Sequence, residues 1–579
     1  MVSLVIDGRP ACVVETGDRA TATEVHAAEE LASYLKRMSG AKVPIGGPGG
    51  GDRVVIGTPA TSSRVRALVE RGLVTLSADV PGHDGFIVRT LKDGDHNVLV
   101  IASMVPRGCL HGVYHLLETQ LRVGFFWDGE QVPRRDTIRL TDLNLVERPD
   151  FGEREYLQAC AYGYTAMFWT IDEWKRELDW AARKKFNLVQ INWGNAVPLF
   201  HALKSMGVEG LTPPTPWEEH ETQLAVAIHR HCRKLGLRVI GPAFDGRVPP
   251  EVRKAFPGAR YVAVQWLDLP PKFPIAPSDP LFVRIGAQFI REHIKLCGTD
   301  HFYNTDPYPE TDPGATEQEK RSVKVDFAKA LVASIRAADP EGTWIISGWG
   351  MGWGNTWDEQ DVEAFLQVIP DDMFVVNDIW AERNPIYERF SYFHGKRWGF
   401  SVLHSMGGWT TPHGDLADLI RRMQAVRADP KADHCTNFYL NPEILNQNDV
   451  YIDLAANLSW RSTDVTVDAF LDDYLVRRYG PDAGMRKCWD ALLESVYAHY
   501  DYTAPAYQTR PTLKVPESYG KLRHAYIPHL ADALRAALAQ ASQLADNNFF
   551  QRDVVDMARQ YVAEVFNLHF ARLVAAFEA

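Results

Sequence analysis

A proline-rich acidic stretch at residues 298–314, GTDHFYNTDPYPETDPG, carries the side chains best suited to acid–base chemistry. Its short apolar segment predicts a strand, and the loop that follows carries Asp306 and Glu310. The prolines of this loop fix φ and exclude helix, so the loop loses little conformational freedom when it becomes ordered. A carboxylate on such a loop can be positioned to donate a proton before the substrate arrives. Taken alone, the pattern also fits a surface turn whose acids are merely solvated.

A second acid beside a proline, Glu443, follows another predicted strand late in the chain. Because Glu310 and Glu443 follow different strands, their carboxyl groups can face each other across a sugar ring. Asp306 and Asp378 are competing acids that could serve instead or could bind substrate hydroxyls. Glu443 could also be a capping or first-turn acid of a predicted helix over residues 446–458, which would need only the helix dipole.

Aromatic and amide side chains follow the other predicted strands, whereas basic side chains are scarce there. Carboxylates walled by aromatic rings, with neither metal-ligand spacing nor a Ser/His/Asp set, indicate hydrolysis of a glycoside. The predicted substrate-binding residues are Gln158, Tyr164, Asn192, Asp245, Arg247, Trp266, Asp306, Trp349, Asp378, Trp380 and His404, and Trp353 and Trp409 are further aromatic candidates.

Cleavage assisted by the acetamide group of the substrate itself normally uses two adjacent acids at the end of a strand. The Asp-Glu pairs at residues 172–173 and 358–359 both open predicted helices instead. The sequence therefore disfavours the substrate-assisted mechanism.

Short apolar strands alternate with helices through residues 150–462, which we predict to be the catalytic domain. Eight such alternations over about 300 residues predict a (β/α)8 TIM-like barrel, in which catalysis takes place at the carboxyl ends of the strands. An open doubly wound sheet is the alternative, although no glycine fingerprint follows the first strand. The predicted strands are residues 156–159, 187–191, 237–243, 302–304, 344–347, 373–376, 400–403 and 437–440.

Two smaller domains flank the predicted barrel. Residues 1–140 alternate strands with helices and predict a small α/β domain, in which a helix over residues 23–38 ends at Gly40. The charged, weakly periodic segment 131–149 predicts the boundary to the barrel. Residues 463–579 contain no predicted strand and predict an all-α helical domain. Its predicted helices are residues 467–479, 483–499, 525–545 and 552–577, the last with Val562, Val565, Phe566, Phe570 and Leu573 on one apolar face.

Composition and charge exclude several classes of protein. The 579-residue chain is 46% hydrophobic with a net charge of −12, which is typical of a globular protein and argues against nucleic acid as a partner. Its seven scattered cysteines show no metal-ligand or disulfide pattern, and no apolar run is long enough to span a bilayer. We expect no metal, no cofactor and no membrane partner, and the sequence is compatible with a homo-oligomer. We also expect a cytoplasmic protein, or a secreted one if a signal peptide has been removed.

Four long motifs occur in an order that is typical of one enzyme family. They are PAFDGRVPPEVRKAFPGA (242–259), GTDHFYNTDPYPETDPG (298–314), NDIWAERNPIY (377–387) and NPEILNQNDVYIDLAANLSWR (441–461). The chain thereby resembles glycoside hydrolase family 89, the α-N-acetylglucosaminidases, from about residue 156 to RRYG at residues 477–480. The small leading domain and the helical tail also suit the three-part layout of this family.

The resemblance implies a retaining exo-α-hexosaminidase with terminal α-linked N-acetylglucosamine as the leading substrate. Glu310 falls on the acid/base of the family and Glu443 on its nucleophile. A retaining pair of this kind has its carboxyl groups roughly 5–5.5 Å apart. Family members line the sugar pocket at the positions of Tyr164, Trp266, Trp349, Asp306 and His404.

Four departures from the family pattern fall on positions that contact the sugar. Pro309 replaces an asparagine, Gln158 replaces another asparagine and Arg247 replaces a histidine, while segment 194–211 is shortened with the loss of a pocket tryptophan. These changes leave the two glutamates in place and put the identity of the sugar in question. Arg247 could bind a carboxylate or sulfate group of the substrate, or pair with Asp245, and we favour the pair.

Three alternatives stay open. The substrate could be another α-hexoside, acidic or amino-modified. The chain could be a carbohydrate-binding protein without turnover, although two opposed carboxylates argue against this. A metal-dependent hydrolase that uses Asp306, Asp312 and His404 is the least favoured alternative.

Overall fold

The structure is a computed structural model that describes residues 1–47, 51–352, 354, 356–407, 411–445, 448–500, 510, 512–514 and 523–579. The candidates Trp353 and Trp409 lie outside the described residues. Contacts divide the chain into two units. The first comprises residues 1–150, 404–425 and 444–579, and the second comprises residues 151–403 and 426–443. The domain limits 1–140, 150–462 and 463–579 stay predictions.

The N-terminal part of the first unit has the predicted α/β character. Its strands are β1 (Val2–Ile6), β2 (Arg9–Pro10), β3 (Cys12–Thr16), β4 (Asp52–Gly57), β5 (Phe86–Asp93), β6 (His96–Ser103), β7 (Gly124–Phe126), β8 (Gly129–Gln131), β9 (Ile138–Leu140) and β10 (Asn144–Glu147). They form a five-stranded mixed sheet in the order β10-β5-β6-β4-β3, a three-stranded sheet in the order β2-β1-β9 and the hairpin β7-β8. The helices are α1 (Ala22–Ser39), α2 (Ser63–Glu70) and α3 (Pro106–His115), which continues as a π-helix over Leu116–Gln120.

Helix α1 ends as predicted, because Gly40 adopts the left-handed conformation (φ 81°) that a helix C-cap requires and its N–H caps the Lys36 carbonyl. The segment 131–149, predicted as the boundary to the barrel, contains β9 and β10, which pair antiparallel with β1 and β5. These strands are three and four residues long, too short for their alternation to be distinguished from a charged linker.

The second unit contains a closed barrel of eight described parallel strands, so the predicted fold class is confirmed and the doubly wound alternative is wrong. Leu188, Ile240, Ile345 and Val375 form its apolar interior. The strands are β11 (Glu153–Tyr156), β12 (Leu188–Gln190), β13 (Arg238–Pro242), β14 (Phe302–Asn304), β15 (Thr343–Ile346), β16 (Phe374–Asp378), β17 (Arg397–Val402) and β18 (Cys435–Leu440).

Helices follow the barrel strands along the chain. The helices at the two acid pairs, residues 172–173 and 358–359, begin as predicted, with capping boxes at Thr170 and Asp358. The helices are α4 (Ala159–Ala161), α5 (Ile171–Arg183), α6 (Ala196–Ser205), α7 (Pro216–Lys234), α8 (Glu251–Ala255), α9 (Pro280–Cys297), α10 (Glu317–Ala338), α11 (Trp349–Gly352), α12 (Glu359–Gln367) and α13 (Leu416–Ala428), with a π-helix at Tyr162–Ala166, 3₁₀ turns at Asp371–Met373 and Pro430–Ala432, and a left-handed turn at Ser391–Gly395.

The C-terminal part of the first unit is helical, as predicted. Its helices are α14 (Asp449–Trp460), α15 (Val467–Tyr479), α16 (Arg486–Leu493), α17 (Arg523–Leu538), α18 (Ala541–Leu544) and α19 (Asn548–Glu578). Two buried arginines link this part to the N-terminal residues of the same unit. Arg477 pairs with Glu118 and Asp453, each at 3.2 Å, and Arg478 pairs with Asp128 and Asp553 at 3.0 and 2.6 Å.

Two details of the helical part differ from the sequence prediction. The helix predicted over residues 483–499 is shorter, because α16 ends at Leu493 and a series of turns follows. The apolar face of α19 is only partly covered, since Val562, Phe566 and Leu573 are 62%, 48% and 62% exposed, whereas Val565 and Phe570 are half-buried. Among the described residues, no helix combines the length and hydrophobicity of a membrane span.

Candidate active site

Glu310 lies in the loop after β14, and two tryptophans hold its carboxylate. The Nε1–H of Trp266 donates to Oε2 at 2.7 Å, and the Nε1–H of Trp349 donates to Oε1 at 3.0 Å. Each oxygen therefore accepts one indole hydrogen bond, which fixes the orientation of the carboxylate plane. Trp266 comes from the segment after β13 and Trp349 opens α11, so three neighbouring strand ends of the barrel converge on this acid.

The backbone of this loop is held in a conformation that L-residues rarely adopt. Tyr308 and Glu310 have φ values of 46° and 55°, on either side of Pro309. The buried Tyr308 ring packs edge-on against Phe327 of α10, with ring centroids 5.4 Å apart. Such a conformation persists only where the surrounding contacts enforce it, and it is common at functional sites.

Asp306 supports the aromatic wall from the same loop. Its carboxylate accepts hydrogen bonds from the Ser347 backbone N–H, at 2.8 Å, and from the Ser347 hydroxyl. The Ser347 Oγ accepts in turn from the backbone N–H of Trp349 at 3.3 Å. Burial raises the pKa of Asp306, although the bonds from Ser347 act in the opposite direction. Asp306 thus positions the turn that carries one of the two tryptophans on Glu310.

Glu443 follows β18, and its charge affects the same side chains, Tyr164 and Cys160, as the charge of Glu310. The pKa of Tyr164 is raised, chiefly by the negative charge of Glu443, and the charge of Glu310 adds to this rise. Burial of the Cys160 thiol, reinforced by the charges of Glu443, Asp306 and Glu310, raises its pKa to about 12. The first loop of the barrel therefore lies within the field of both glutamates, which come from β14 and from β18.

The interpretation of Glu443 as a helix acid is wrong. Helix α14 begins at Asp449 with Asn448 as its N-cap, so Glu443 precedes the cap by five residues. The dipole of that helix acts within its first turn and gives no reason for an acid at this position.

Amide side chains join the ends of several strands inside the barrel. The Asn304 Oδ1 accepts from Gln190 at 3.0 Å and from Asn192 at 3.1 Å, and the Tyr439 hydroxyl donates to Gln190 at 2.9 Å. Gln158 donates to the Asn441 carbonyl, two residues before Glu443. The predicted binding residues Asn192 and Gln158 are therefore part of the barrel interior network, and Gln158 braces the strand end that carries Glu443.

Sequence reasoning missed Glu155, a fully buried acid on β11. Its Oε2 accepts from Asn377 Nδ2 at 2.8 Å. Burial, helped by the charges of Glu153 and Asp306, raises its pKa to about 8, so the carboxyl is protonated at neutral pH. The sequence did carry a signal for Glu155. Side chains alternate along β11, so Glu155 points to the opposite face from its two neighbours, and a charged residue inside a parallel barrel is rare.

Two other predicted residues, Asp378 and Trp380, contact parts of the protein around Glu310. The Asp378 carboxylate accepts from the backbone N–H groups of Ile386 and Tyr387, at 2.8 and 3.0 Å, and burial raises its pKa to about 7. Through these bonds it orders the loop after β16. The Trp380 ring lies 6.5 Å from that of Trp349, so it extends the wall behind Glu310.

The remaining predicted residues are engaged elsewhere. Arg247 pairs with Asp245 at 3.0 Å, which confirms the pairing favoured above. His404 belongs to the first unit, where its buried ring stacks on those of His413 and Tyr451, with centroids 4.3 and 4.0 Å apart. Asp312 pairs with Lys320 at 2.9 Å, and the metal-ligand cluster found among the described residues is a different one, so Asp306, Asp312 and His404 gain no support as a metal site.

Comparison with protein families gives three matches along the chain. Residues 196–462 match the Alpha-N-acetylglucosaminidase (NAGLU) tim-barrel domain, and residues 470–579 match the Alpha-N-acetylglucosaminidase (NAGLU) C-terminal domain. Residues 11–116 match the Glycosyl hydrolase family 67 N-terminus. Together the first two matches cover most of the chain from the barrel onward.

Individual proteins agree with these matches. Alpha-N-acetylglucosaminidase from Homo sapiens is 29% identical over 566 residues, which cover 90% of this chain and 73% of the human protein. A family 89 glycoside hydrolase from Clostridium perfringens in complex with PUGNAc has a TM-score of 0.74 at 18% identity over 89% of this chain. A second C. perfringens structure, in complex with its substrate GlcNAc-alpha-1,4-galactose, has a TM-score of 0.77 at 17% identity over 96% of this chain. In both cases the match spans 63% of the solved chain, and at these identities it shows the fold alone.

Proposed function

The chain belongs to the α-N-acetylglucosaminidase family, glycoside hydrolase family 89, and we propose that it is a retaining, exo-acting α-glycosidase that releases terminal α-linked N-acetylglucosamine. Support for the substrate comes from the human relative, which is named for this activity, and from the bacterial relative, whose substrate is GlcNAc-alpha-1,4-galactose. Support for the chemistry comes from the geometry of the barrel itself.

One observation carries the proposal. Glu310 and Glu443 come from the ends of β14 and β18, yet both act on the Tyr164 hydroxyl and the Cys160 thiol after β11. Double displacement at an anomeric carbon needs two carboxylates on separate strand ends of one barrel, with their carboxyl groups about 5–5.5 Å apart. A protein that only bound sugar would have no use for this pair.

In the first step, Glu443 attacks the anomeric carbon of the sugar while Glu310 gives its proton to the glycosidic oxygen. The bond between the anomeric carbon and that oxygen breaks, the alcohol leaves, and the sugar stays bound to Glu443 as an ester. In the second step, Glu310 takes a proton from water, whose oxygen attacks the anomeric carbon and releases Glu443 as a carboxylate. Two inversions give net retention, so the product is the α-anomer.

The indole hydrogen bonds define how Glu310 performs both steps. Each carboxylate oxygen faces one N–H donor, at 2.7 and 3.0 Å, so the group cannot rotate freely between proton donation and proton removal. Fixed orientation removes the entropic cost of aligning the acid in each transition state. The flat rings of Trp266 and Trp349 also offer the apolar surface on which the carbon face of a sugar packs.

Hydrolysis of aryl α-glycosides tests this function. The panel comprises α-N-acetylglucosaminide, α-N-acetylgalactosaminide, α-glucoside and α-glucuronide. Glu310→Gln and Glu443→Gln are the test variants, and Glu317→Gln, an exposed acid on α10, is the matched control. We expect the α-N-acetylglucosaminide to have the highest kcat/KM and both test variants to lose at least about 10²-fold in kcat.

Three other results would contradict the proposal in different ways. A preference for the α-glucuronide would show that Arg247 leaves Asp245 to bind an acidic sugar. Binding of N-acetylglucosamine without any hydrolysis would indicate a lectin. Full activity of either test variant would remove that glutamate from the mechanism. The cytoplasmic location and the homo-oligomer stay predictions.

A further inference from the structure

Three side chains of types that can ligate a metal meet between two helices of the barrel unit. They are His229 of α7 and His293 and Cys297 of α9, each buried. One nitrogen or sulfur atom of each lies within 4.8 Å of those of the other two. We propose that these three residues bind one zinc ion, which ties α7 to α9.

His293 and Cys297 are four residues apart on α9, a helical spacing that the expectation of no metal-ligand pattern among the cysteines overlooked. Residues four apart lie on the same face of a helix, so His293 and Cys297 point to the same side one turn apart. His229 completes the group from the neighbouring helix, with its ring 5.6 Å from that of His293. Two ligands from one helix and a third from another element are a common way to build a zinc site.

His229 provides the observation that points to a ligand. The residue is 2% exposed, and neither Nδ1 nor Nε2 has a hydrogen-bond partner among the described residues. Buried polar groups in native proteins are almost always paired, and an exception needs an explanation. A metal ion at the point where the three ligand atoms meet would satisfy one of these nitrogens.

Zinc binds neutral imidazoles and a thiolate, and the bound ion would itself displace the proton of the buried Cys297 thiol to solvent, as it does at other thiolate sites.

Packing holds the ring of His293 in place. A Cβ atom at Gly241 of β13 would lie 3.0 Å from the His293 Cε1, so a side chain here would crowd the imidazole. The Arg233 guanidinium, a positive charge beside the site, donates to the Cys297 carbonyl at 2.6 Å and pairs with Asp300 at 3.5 Å. Asp300 thereby offsets the positive charge that would otherwise repel a cation.

The ligand set favours zinc over harder cations. Imidazole and thiolate ligands suit Zn²⁺ and Cu⁺, whereas Mg²⁺ and Ca²⁺ prefer oxygen. Bonds of about 2.0–2.3 Å to zinc bring ligand atoms to roughly 3.3–3.7 Å from one another. Small side-chain rotations close the difference from 4.8 Å. Three protein ligands leave the fourth position of the tetrahedron to a water molecule.

The test uses the full chain, reduced, stripped with a chelator and reloaded with one equivalent of Zn²⁺. The readouts are zinc per chain after desalting, the thermal unfolding midpoint, and the thiolate charge-transfer band after loading with Co²⁺. The variants are Cys297→Ser and His229→Gln, and the matched control is Cys435→Ser, another buried cysteine of the same unit. If the serine variant does not fold, His229→Gln carries the comparison, because glutamine fills a similar volume.

We expect one zinc per chain, a raised unfolding midpoint and the cobalt band in the parent and in Cys435→Ser. Cys297→Ser should lose the band, and each test variant should bind zinc at least about tenfold more weakly. Equal zinc retention by the parent and both test variants would overturn the proposal. Retention of Cu⁺ but not of Zn²⁺ in a parallel loading would overturn the assignment to zinc. Neither result depends on whether the protein hydrolyses a glycoside.

Discussion

The indole N–H of Trp266 donates a hydrogen bond to the Glu310 carboxylate at 2.7 Å across 44 residues of sequence. With Trp349 on the other oxygen, at 3.0 Å, this bond sets the plane of the acid that we assign to proton transfer. The two donors also make Glu310 sensitive to changes in residues that never touch the breaking bond.

Replacement of either indole should therefore slow the reaction. Trp266→Phe and Trp349→Phe keep a ring but remove the donor, and a hydrogen bond to a charged group contributes about 1.5–3 kcal/mol. We expect kcat to fall about 10- to 100-fold in each variant. Trp217→Phe, which changes an exposed ring on α7, is the control and should keep full activity. Changes in KM alone would mean that the indoles only bind substrate.

Chemical rescue by azide distinguishes the two glutamates. An aryl glycoside with a good leaving group needs little acid assistance, so Glu310→Ala should still form the glycosyl-enzyme, which azide then attacks to give the α-glycosyl azide. In Glu443→Ala, azide should attack the substrate directly and give the β-glycosyl azide. The configuration of each product is read by NMR, and reversed configurations would reverse the two roles.

Cys160 offers a chemical probe of the same site. It is the one exposed cysteine of the seven, all of which are described. Protein atoms around the thiol still desolvate it in part, and this desolvation, with the charges of Glu443, Asp306 and Glu310, raises its pKa to about 12. The thiolate is the reactive form, so inactivation by iodoacetamide should be slow at pH 7 and should accelerate about tenfold per pH unit.

N-acetylglucosamine should protect the parent from this inactivation, and Cys160→Ser should be insensitive to the reagent. An alkylated enzyme with full activity would place this thiol outside the region that the substrate occupies. The buried cysteines serve as the internal control, because mass spectrometry should find them unmodified.

Glu155 should make stability depend on pH. Its pKa rises from an ordinary 4.5 to about 8 in the folded chain, chiefly through burial, so the folded state keeps a proton that the unfolded state loses. The contribution of Glu155 to the free energy of unfolding is fully present below about pH 4.5. It is lost as the pH rises to about 8, at up to about 1.4 kcal/mol per pH unit.

Glu155→Gln mimics the protonated form at every pH. The unfolding midpoint of the variant relative to the parent should therefore rise between pH 5 and pH 8, as measured in parallel thermal melts. A constant difference between the two proteins across this range would show that Glu155 does not hold a proton in the folded state.

The sequence predicted the barrel well where strands were apolar and less well where they were not. The strand over residues 302–304 has the predicted limits, because Asp and Pro residues bracket an apolar run. The first strand lies at Glu153–Tyr156 rather than at residues 156–159, because three of its four residues are polar or charged. Arg154 is nevertheless buried, since the Lys185 and Phe151 carbonyls each accept from it at 2.8 Å.

The candidate site shows the same division. The carboxylates could be found because proline and strand ends mark Glu310 and Glu443 locally. The donors on Glu310 could not be ranked, because Trp266 and Trp349 reach it from 44 and 39 residues away. The contacts of Asp378 with its own loop and of His229 with Cys297 also depend on how different elements pack. No local sequence pattern predicts contacts of this kind.

The stereochemistry of the first product tests the central claim most directly. NMR spectra recorded during the first minutes of hydrolysis of an aryl α-N-acetylglucosaminide show which anomer appears before mutarotation mixes the two. Double displacement by Glu443 and Glu310 predicts the α-anomer first. Initial release of the β-anomer would show single displacement by water, and would contradict the assignment of Glu443 as the nucleophile.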